Sequence, residues 1–187
     1  MRRLVSSPGE WACGILISSV HKSGEPHEER FELPFDGAVV EYWGQDYTPL
    51  APLEVRITAN YARDDIVTRV LLSGSFSLPC SRCLAETGIA IEGDMRYLFT
   101  LRNTGGGDDG AVPDGDLDVI ELDGFQAELD MSPYVWETLI LSLPEGVLCK
   151  EDCKGLCPVC GGDRNARDCG CAVDDADPRL LVLKDLL

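Results

Sequence analysis

Histidine is nearly absent from this chain: there are two in 187 residues, His21 and His27, both near the start. With so little imidazole, a histidine-built metal or acid–base centre has almost no donors to draw on. Basic residues are scarce too. Sixteen Lys and Arg stand against 33 Asp and Glu, for a formal net charge of −17. Affinity for phosphate backbones comes mainly from Lys and Arg, so nucleic acid is repelled at long range. Acidic surfaces instead steer basic partners, and ribosomal proteins are the commonest basic proteins in a bacterial cytosol. No apolar run approaches the ~20 residues of a membrane span. Met1-Arg-Arg imitates a signal-peptide start, but Ser6, Ser7, Pro8 and Glu10 interrupt the apolar run such a peptide needs, and Glu10 spoils a lipoprotein reading of Cys13. A cytosolic protein is predicted. Also missing are Gly-x-Ser-x-Gly, the phosphate-cradling Gly-x4-Gly-Lys, and any histidine close to the cysteines.

Cysteine is what the chain does have. Eight of nine fall into four close pairs: Cys80-Ser-Arg-Cys83, Cys149-Lys-Glu-Asp-Cys153, Cys157-Pro-Val-Cys160 and Cys169-Gly-Cys171. Cys13 is left over and reads as a small, partly buried hydrophobe. In a reducing cytosol, clustered cysteines are metal ligands more often than disulfides. Four pairs supply two tetrahedral S4 sites, the geometry structural Zn2+ prefers. In Cys157-Pro-Val-Cys160-Gly161 the proline fixes φ and the glycine permits a tight turn, so this pair with Cys169 and Cys171 is one expected site. Cys80, Cys83, Cys149 and Cys153 form the second. A rival arrangement puts a single site in the tail and leaves Cys80 and Cys83 free or redox-active.

The centre of the chain alternates apolar and polar residues, as half-buried antiparallel strands do. This predicts strands over 53–61, 66–78 and 89–101, with Arg63-Asp-Asp65 as a turn and the Cys80–Cys83 loop at a hairpin tip. Phe31–Phe35 and Val119–Leu122 read as further strands. Residues 103–118 hold five aspartates and no basic residue, which predicts a mobile acidic loop. Asp114, Asp116 and Asp118 recur as in a Ca2+ loop, but Phe125 stands where an EF-hand needs its glutamate. Ser132-Pro133 reads as N-cap and first turn of a helix reaching about Ser142. It presents Val135, Leu139 and Ser142, with Trp136, Ile140 and Leu143 beside them, and is expected to pack on the sheet. Leu180–Leu187 reads as a short docking segment. The expected fold class is α+β: a mainly antiparallel sheet over 1–148 with one packing helix, and a zinc knuckle in a cysteine-rich tail over 149–187. Alternation leaves open whether the sheet closes into a barrel.

A hairpin carrying Cys80-Ser-Arg-Cys83-Leu84, an acidic loop, a helix ending Leu141-Ser-Leu-Pro144, and then Leu148-Cys-Lys-Glu-Asp-Cys-Lys-Gly-Leu-Cys-Pro-Val-Cys-Gly161 resembles the YceD family. The resemblance spans about residues 30–172. Family members usually carry Leu-Asn after the last Cys-Gly step, where this chain has Gly162-Asp-Arg-Asn165. The family is named for large ribosomal RNA subunit accumulation, which implies a role in the synthesis, processing or accumulation of 23S rRNA.

The sequence thus predicts a non-catalytic ribosome-biogenesis factor whose zinc sites hold a display surface. Lys150, Lys154, Arg164 and Arg167 surround the tail site and could touch rRNA locally, although Glu151, Asp152, Asp163 and Asp168 stand among them. The alternative is a thiol oxidoreductase or metal-dependent hydrolase, the latter needing an open metal position with a base beside it. A zinc-ribbon transcription adaptor shares only the spacing.

Overall fold

The computed structural model describes residues 2–20, 25–101, 117–124 and 126–172. His21, the acidic stretch 103–116 with most of the Ca2+ reading, and the terminal segment 180–187 lie outside these residues. Strands are β1 (Arg3–Leu4), β2 (Gly14–Leu16), β3 (His27–Leu33), β4 (Val39–Tyr42), β5 (Gln45–Pro49), β6 (Leu53–Ala62), β7 (Asp65–Pro79), β8 (Glu86–Leu101), β9 (Leu117–Leu122) and β10 (Glu128–Asp130). One helix comes after them, α1 (Ser132–Ser142). Leu117 and Asp118 therefore belong to a strand and not to the acidic loop.

Alternation does what the period of two demands. Leu53, Val55, Ile57 and Ala59 of β6 are buried, as are Ile66, Val70 and Leu72 of β7 opposite them. The β6–β7 hairpin runs in register from Glu54 against Ser73 to Ala62 against Asp65. Its two-residue turn begins at Arg63, whose φ of 61° is left-handed. β5 pairs a later stretch of β7, with Pro49 against Phe76. Between those registers, the β5–β6 side of the ladder is longer than the β7 side. The surplus falls at Leu50-Ala-Pro52, where Pro52 has no N–H to give the ladder, and Leu50 N–H reaches Ser75 O at 2.9 Å.

The sheet order is β1-β4-β5-β7-β6-β3, with β8 pairing β7 and β9; β10 and β2 form a separate small sheet. Most ladders are antiparallel, but β1–β4 and β8–β9 are parallel. Among the described residues no pairing joins the ends of the order, so the sheet is open and not a barrel.

Tyr47, Phe76, Tyr97 and Phe99 are fully buried at the centre of the core. Helix α1 buries Ser132, Val135, Thr138 and Leu139, so a threonine sits on the face. It approaches β8 at Gly93, where an added Cβ would lie 2.6 Å from Ser142 Oγ and 2.9 Å from both Thr138 Cγ2 and Leu72 Cγ. Tyr97 Oη donates to Tyr134 O at 3.1 Å and lies 3.1 Å from Thr138 Oγ1. The expected cap is not made: Met131 occupies the N-cap position. Ser132 Oγ instead donates to Trp11 O at 3.1 Å and accepts from Cys13 N–H at 3.2 Å, holding the N-terminal segment. Asp130 Oδ1 takes the Ser132 N–H at 2.9 Å.

The chain divides into two compact units, Met1–Leu78 with Gly88–Glu145, and Pro79–Thr87 with Gly146–Leu187. The hairpin tip thus packs with the cysteine-rich tail.

Candidate metal centres

The smaller unit has scarcely any ordinary core. Its buried apolar side chains, among the described residues, are Val147 and four cysteines: Cys80, Cys83, Cys153 and Cys157. A unit of this size needs a metal or a disulfide to hold it. All eight paired cysteines are free thiols.

Two turns of one design position them. In the first, Cys80 N–H donates to Ala85 O at 2.8 Å and Leu84 N–H to Cys80 O at 3.0 Å. In the second, Cys157 N–H donates to Gly162 O and Gly161 N–H to Cys157 O, both at 2.8 Å. Each turn needs a left-handed residue after its second cysteine, and Leu84 and Gly161 provide it with φ of 61° and 69°. The sequence showed this for the glycine; a leucine gave no such signal.

The sulfurs converge as two groups, Cys80, Cys83, Cys149 and Cys153, and Cys157, Cys160, Cys169 and Cys171, each with all sulfurs within 4.8 Å of one another. Cys80 and Cys153 sulfurs are 3.8 Å apart, and those of Cys83 and Cys149 3.5 Å. Four sulfurs about 2.3 Å from a central Zn2+ would be separated by about 3.8 Å in a tetrahedron. A disulfide would require about 2.05 Å. The donor set and its spacing therefore fit a tetrahedral ion that takes sulfur.

The electrostatics ask for a cation. Cys80 is held down to about 6 by the backbone N–H of Cys83, then those of Arg82 and Cys149. Cys157 is held down to about 6 in the same way, by the backbone of Cys160 and Val159. Cys149 is pushed up to about 12, foremost by its hydrogen bond with Cys83, and Cys171 to about 12 by that with Cys169. Within each group one thiol is favoured as thiolate by backbone N–H groups and another is held back by its neighbouring sulfurs, a repulsion that a cation between them would relieve.

Residues outside the pairs complete the first centre. Asn165 Nδ2 donates to Cys153 Sγ at 3.4 Å, and its Oδ1 accepts from Lys154 N–H at 2.9 Å. Arg82 Nη1 donates to Cys153 O at 3.0 Å. Gly155, at φ 71°, lets the backbone pass Arg82, whose carbonyl oxygen would lie 3.0 Å from an added Cβ. None of these three roles is visible in ligand spacing. Cys13 belongs to the other unit, fully buried, and its thiol is pushed up to about 11 by that burial.

The larger unit has an open groove of about 1010 Å³ on the sheet. Its lining includes Arg30, Arg56, Glu32, Glu54, Glu92 and Asp94 but no cysteine or histidine. Glu32 stands directly opposite Glu54, and Arg30 opposite Arg56. No helix among the described residues is long and apolar enough to cross a membrane.

An open β-sheet with one packing helix, joined to a unit built around two four-cysteine clusters, is a scaffold class with candidate metal sites. Residues 69–187 match the family described as large ribosomal RNA subunit accumulation protein YceD, and this chain belongs to that family. It is 29% identical over 143 residues to the uncharacterized protein YlbN of Bacillus subtilis, covering 76% of this chain and 78% of that protein. It is 24% identical over 153 residues to the chloroplastic large ribosomal RNA subunit accumulation protein YCED homolog 1 of Arabidopsis thaliana, covering 71% of this chain and 48% of the relative. The uncharacterized protein Rv2926c of Mycobacterium tuberculosis is 26% identical over 151 residues, covering 76% of this chain and 64% of that protein. The chain therefore spans about half to three quarters of these relatives. No solved structure matches.

Proposed function

We propose that this chain is a non-catalytic factor supporting the synthesis, processing or accumulation of 23S rRNA in the cytosol. Two structural Zn2+ ions hold its smaller unit. The observation that carries the reading is membership of a family named for large ribosomal RNA subunit accumulation, in a chain whose eight paired cysteines fall into two four-sulfur groups. Four sulfurs per ion fill a tetrahedron, so neither site leaves the open position a hydrolytic metal needs. A thiol oxidoreductase would need an accessible nucleophile, whereas Cys80, the low-pKa thiol of the hairpin tip, is fully buried. The net charge of −17 favours a basic ribosomal or rRNA-processing protein as partner. The groove bearing Glu32, Glu54 and Glu92 offers such a protein an acidic surface.

The test is the ratio of 23S to 16S rRNA, with ribosome sedimentation profiles, in cells depleted of this protein. Selective loss of 23S rRNA and large subunits is expected. An unchanged ratio with normal profiles rejects the reading.

A further inference from the structure

The smaller unit differs in charge from the rest of the chain. Its described residues carry five basic side chains (Arg82, Lys150, Lys154, Arg164, Arg167) and five acidic ones (Glu86, Glu151, Asp152, Asp163, Asp168), whereas the whole chain carries −17. Equal numbers would suggest mutual neutralisation. The hydrogen bonds place several of the charges differently.

Segment Cys153–Leu156 is held on both sides by backbone contacts. Leu156 N–H donates to Arg82 O at 3.0 Å on one side. On the other, Leu156 and Asp163 form an antiparallel bridge, and Arg164 N–H donates to Gly155 O at 3.0 Å. Arg167 is brought in by its N–H to Asp163 O at 3.3 Å. Lys154, Arg164 and Arg167, dispersed in sequence, are thereby brought onto neighbouring stretches of backbone, and each is exposed.

Two neighbouring carboxylates accept hydrogen bonds within their own turns, keeping their charge but not pairing it with the three cations. Asp163 Oδ1 accepts from both Asn165 N–H and Asn165 Nδ2, each at 2.8 Å. Asp168 Oδ1 accepts from Gly170 N–H at 3.1 Å. They serve as turn-forming acceptors, and among the described residues no carboxylate makes an ion pair with Lys154, Arg164 or Arg167. Lys150 is different, with its ammonium 3.8 Å from Asp152.

We infer that Lys154, Arg164 and Arg167 form a contact site for an RNA phosphate backbone, so that the smaller unit touches RNA while the acidic larger unit does not. This rests on the ribosomal RNA reading above and adds to it the residues that make contact. Three exposed cations on neighbouring backbone can each take phosphate oxygens, and arginine is suited to forked contacts with them. The −17 background makes the contact weak and strongly dependent on salt. Two Zn2+ held by eight thiolates would add about −4 to the smaller unit, so the attraction is local to the three side chains and does not come from the unit's net charge.

The test uses the full metal-loaded chain and a 23S rRNA transcript, with binding followed between about 50 and 200 mM salt. Three phosphate contacts predict that wild-type affinity falls about 20–40-fold over that range. Lys154→Ala/Arg164→Ala/Arg167→Ala together should abolish both the binding and most of the salt dependence, with metal content unchanged. Lys150→Ala should bind like wild type, and Lys154→Arg/Arg164→Lys/Arg167→Lys should keep the salt dependence while losing part of the affinity with the arginine forks. A triple alanine variant that binds as wild type does, or a wild type with no salt-dependent binding, overturns the inference. So does a wild type that prefers polyglutamate to the transcript and loses that preference in the triple variant, which would make the patch a docking site for acidic protein. Complementation separates the two levels. If depletion lowers 23S rRNA and the triple variant restores it fully, the contact site fails while the ribosomal role stands. If depletion has no effect, the ribosomal role fails by itself.

Discussion

Leu84 and Gly161 hold equivalent places in two turns of the same design, each just after the second cysteine of a Cys-x-x-Cys pair with its backbone in the left-handed region. The equivalence ties two distant stretches of sequence to one local solution. It also exposes an asymmetry, because an L-residue with a branched side chain pays about 1–2 kcal/mol for that conformation and glycine does not.

Replacing Leu84 by glycine should therefore be tolerated. The leucine is 65% exposed, so little packing is lost. Relief of the backbone is offset by about 0.5–1 kcal/mol from the greater freedom of glycine in the unfolded chain. Gly161→Val should destabilise by about 1–2 kcal/mol. Nothing lies within 4 Å of an added Cβ there, so the cost is one of backbone alone. Thermal unfolding and chelator competition on both variants check the contrast, with weakened metal binding expected only for Gly161→Val.

Gly93→Ala tests the packing of α1 on the sheet. The new methyl would meet Leu72 Cγ and Thr138 Cγ2 at 2.9 Å, neither of them the loose end of a long side chain. Overpacking of this kind costs about 1–3 kcal/mol. A lowered midpoint in urea, with no change in metal content, is expected.

Asp94 and Arg69 give a pH-dependent contribution whose sign is fixed. Two hydrogen bonds of 2.7 and 2.5 Å from the guanidinium hold the Asp94 carboxyl below its usual range. Its folded pKa lies below the unfolded value, so the contribution is complete above about pH 4 and fades as pH falls through the folded value. Both side chains are more than 40% exposed, which keeps the effect small. Urea midpoints of wild type and Asp94→Asn should differ slightly at neutral pH and converge in strong acid, below the folded pKa. Equal midpoints at neutral pH would show that the pair contributes nothing.

The long strands were legible because burial on one face writes itself into alternate residues. The expected 53–61, 66–78 and 89–101 correspond to β6, β7 and β8. Of the shorter strands, Phe31–Phe35 and Val119–Leu122 were legible in part, as β3 and β9, whereas β1, β2, β4, β5 and β10 gave no such signal. The β4–β5 turn, Trp43-Gly44, puts both residues at positive φ, and Trp43 does not announce a turn as asparagine would. Ser132 looked like a cap because serine is common there, but its hydroxyl found partners at Trp11 and Cys13, 121 and 119 residues away. Tertiary contacts of that span cannot be read from local pattern. The cysteine pairs were legible as pairs, but the joining of Cys80 and Cys83 with Cys149 and Cys153 was one of two arrangements the spacing allowed. Asn165, Arg82 and Gly155 were not legible, because they serve the first centre through contacts that only the folded turns create.

Thiol reactivity should sort the nine cysteines into two classes by a criterion that sequence alone does not provide. In the metal-loaded protein, none of the eight clustered cysteines should react quickly with a mild alkylating agent, and metal analysis should give about two Zn2+ per chain. After chelation the eight should react together and the smaller unit should lose its structure, since its buried side chains are chiefly the ligands themselves. Cys13 should stay unreactive until the larger unit unfolds, because it is fully buried and its thiolate is disfavoured there. Chelation, then mass spectrometry of the alkylated chain, would therefore show eight modifications under native conditions and nine in denaturant. Rapid labelling of Cys80 and Cys83 before chelation, with the fold intact, would instead mark the hairpin tip as a free dithiol and leave a single metal site in the tail.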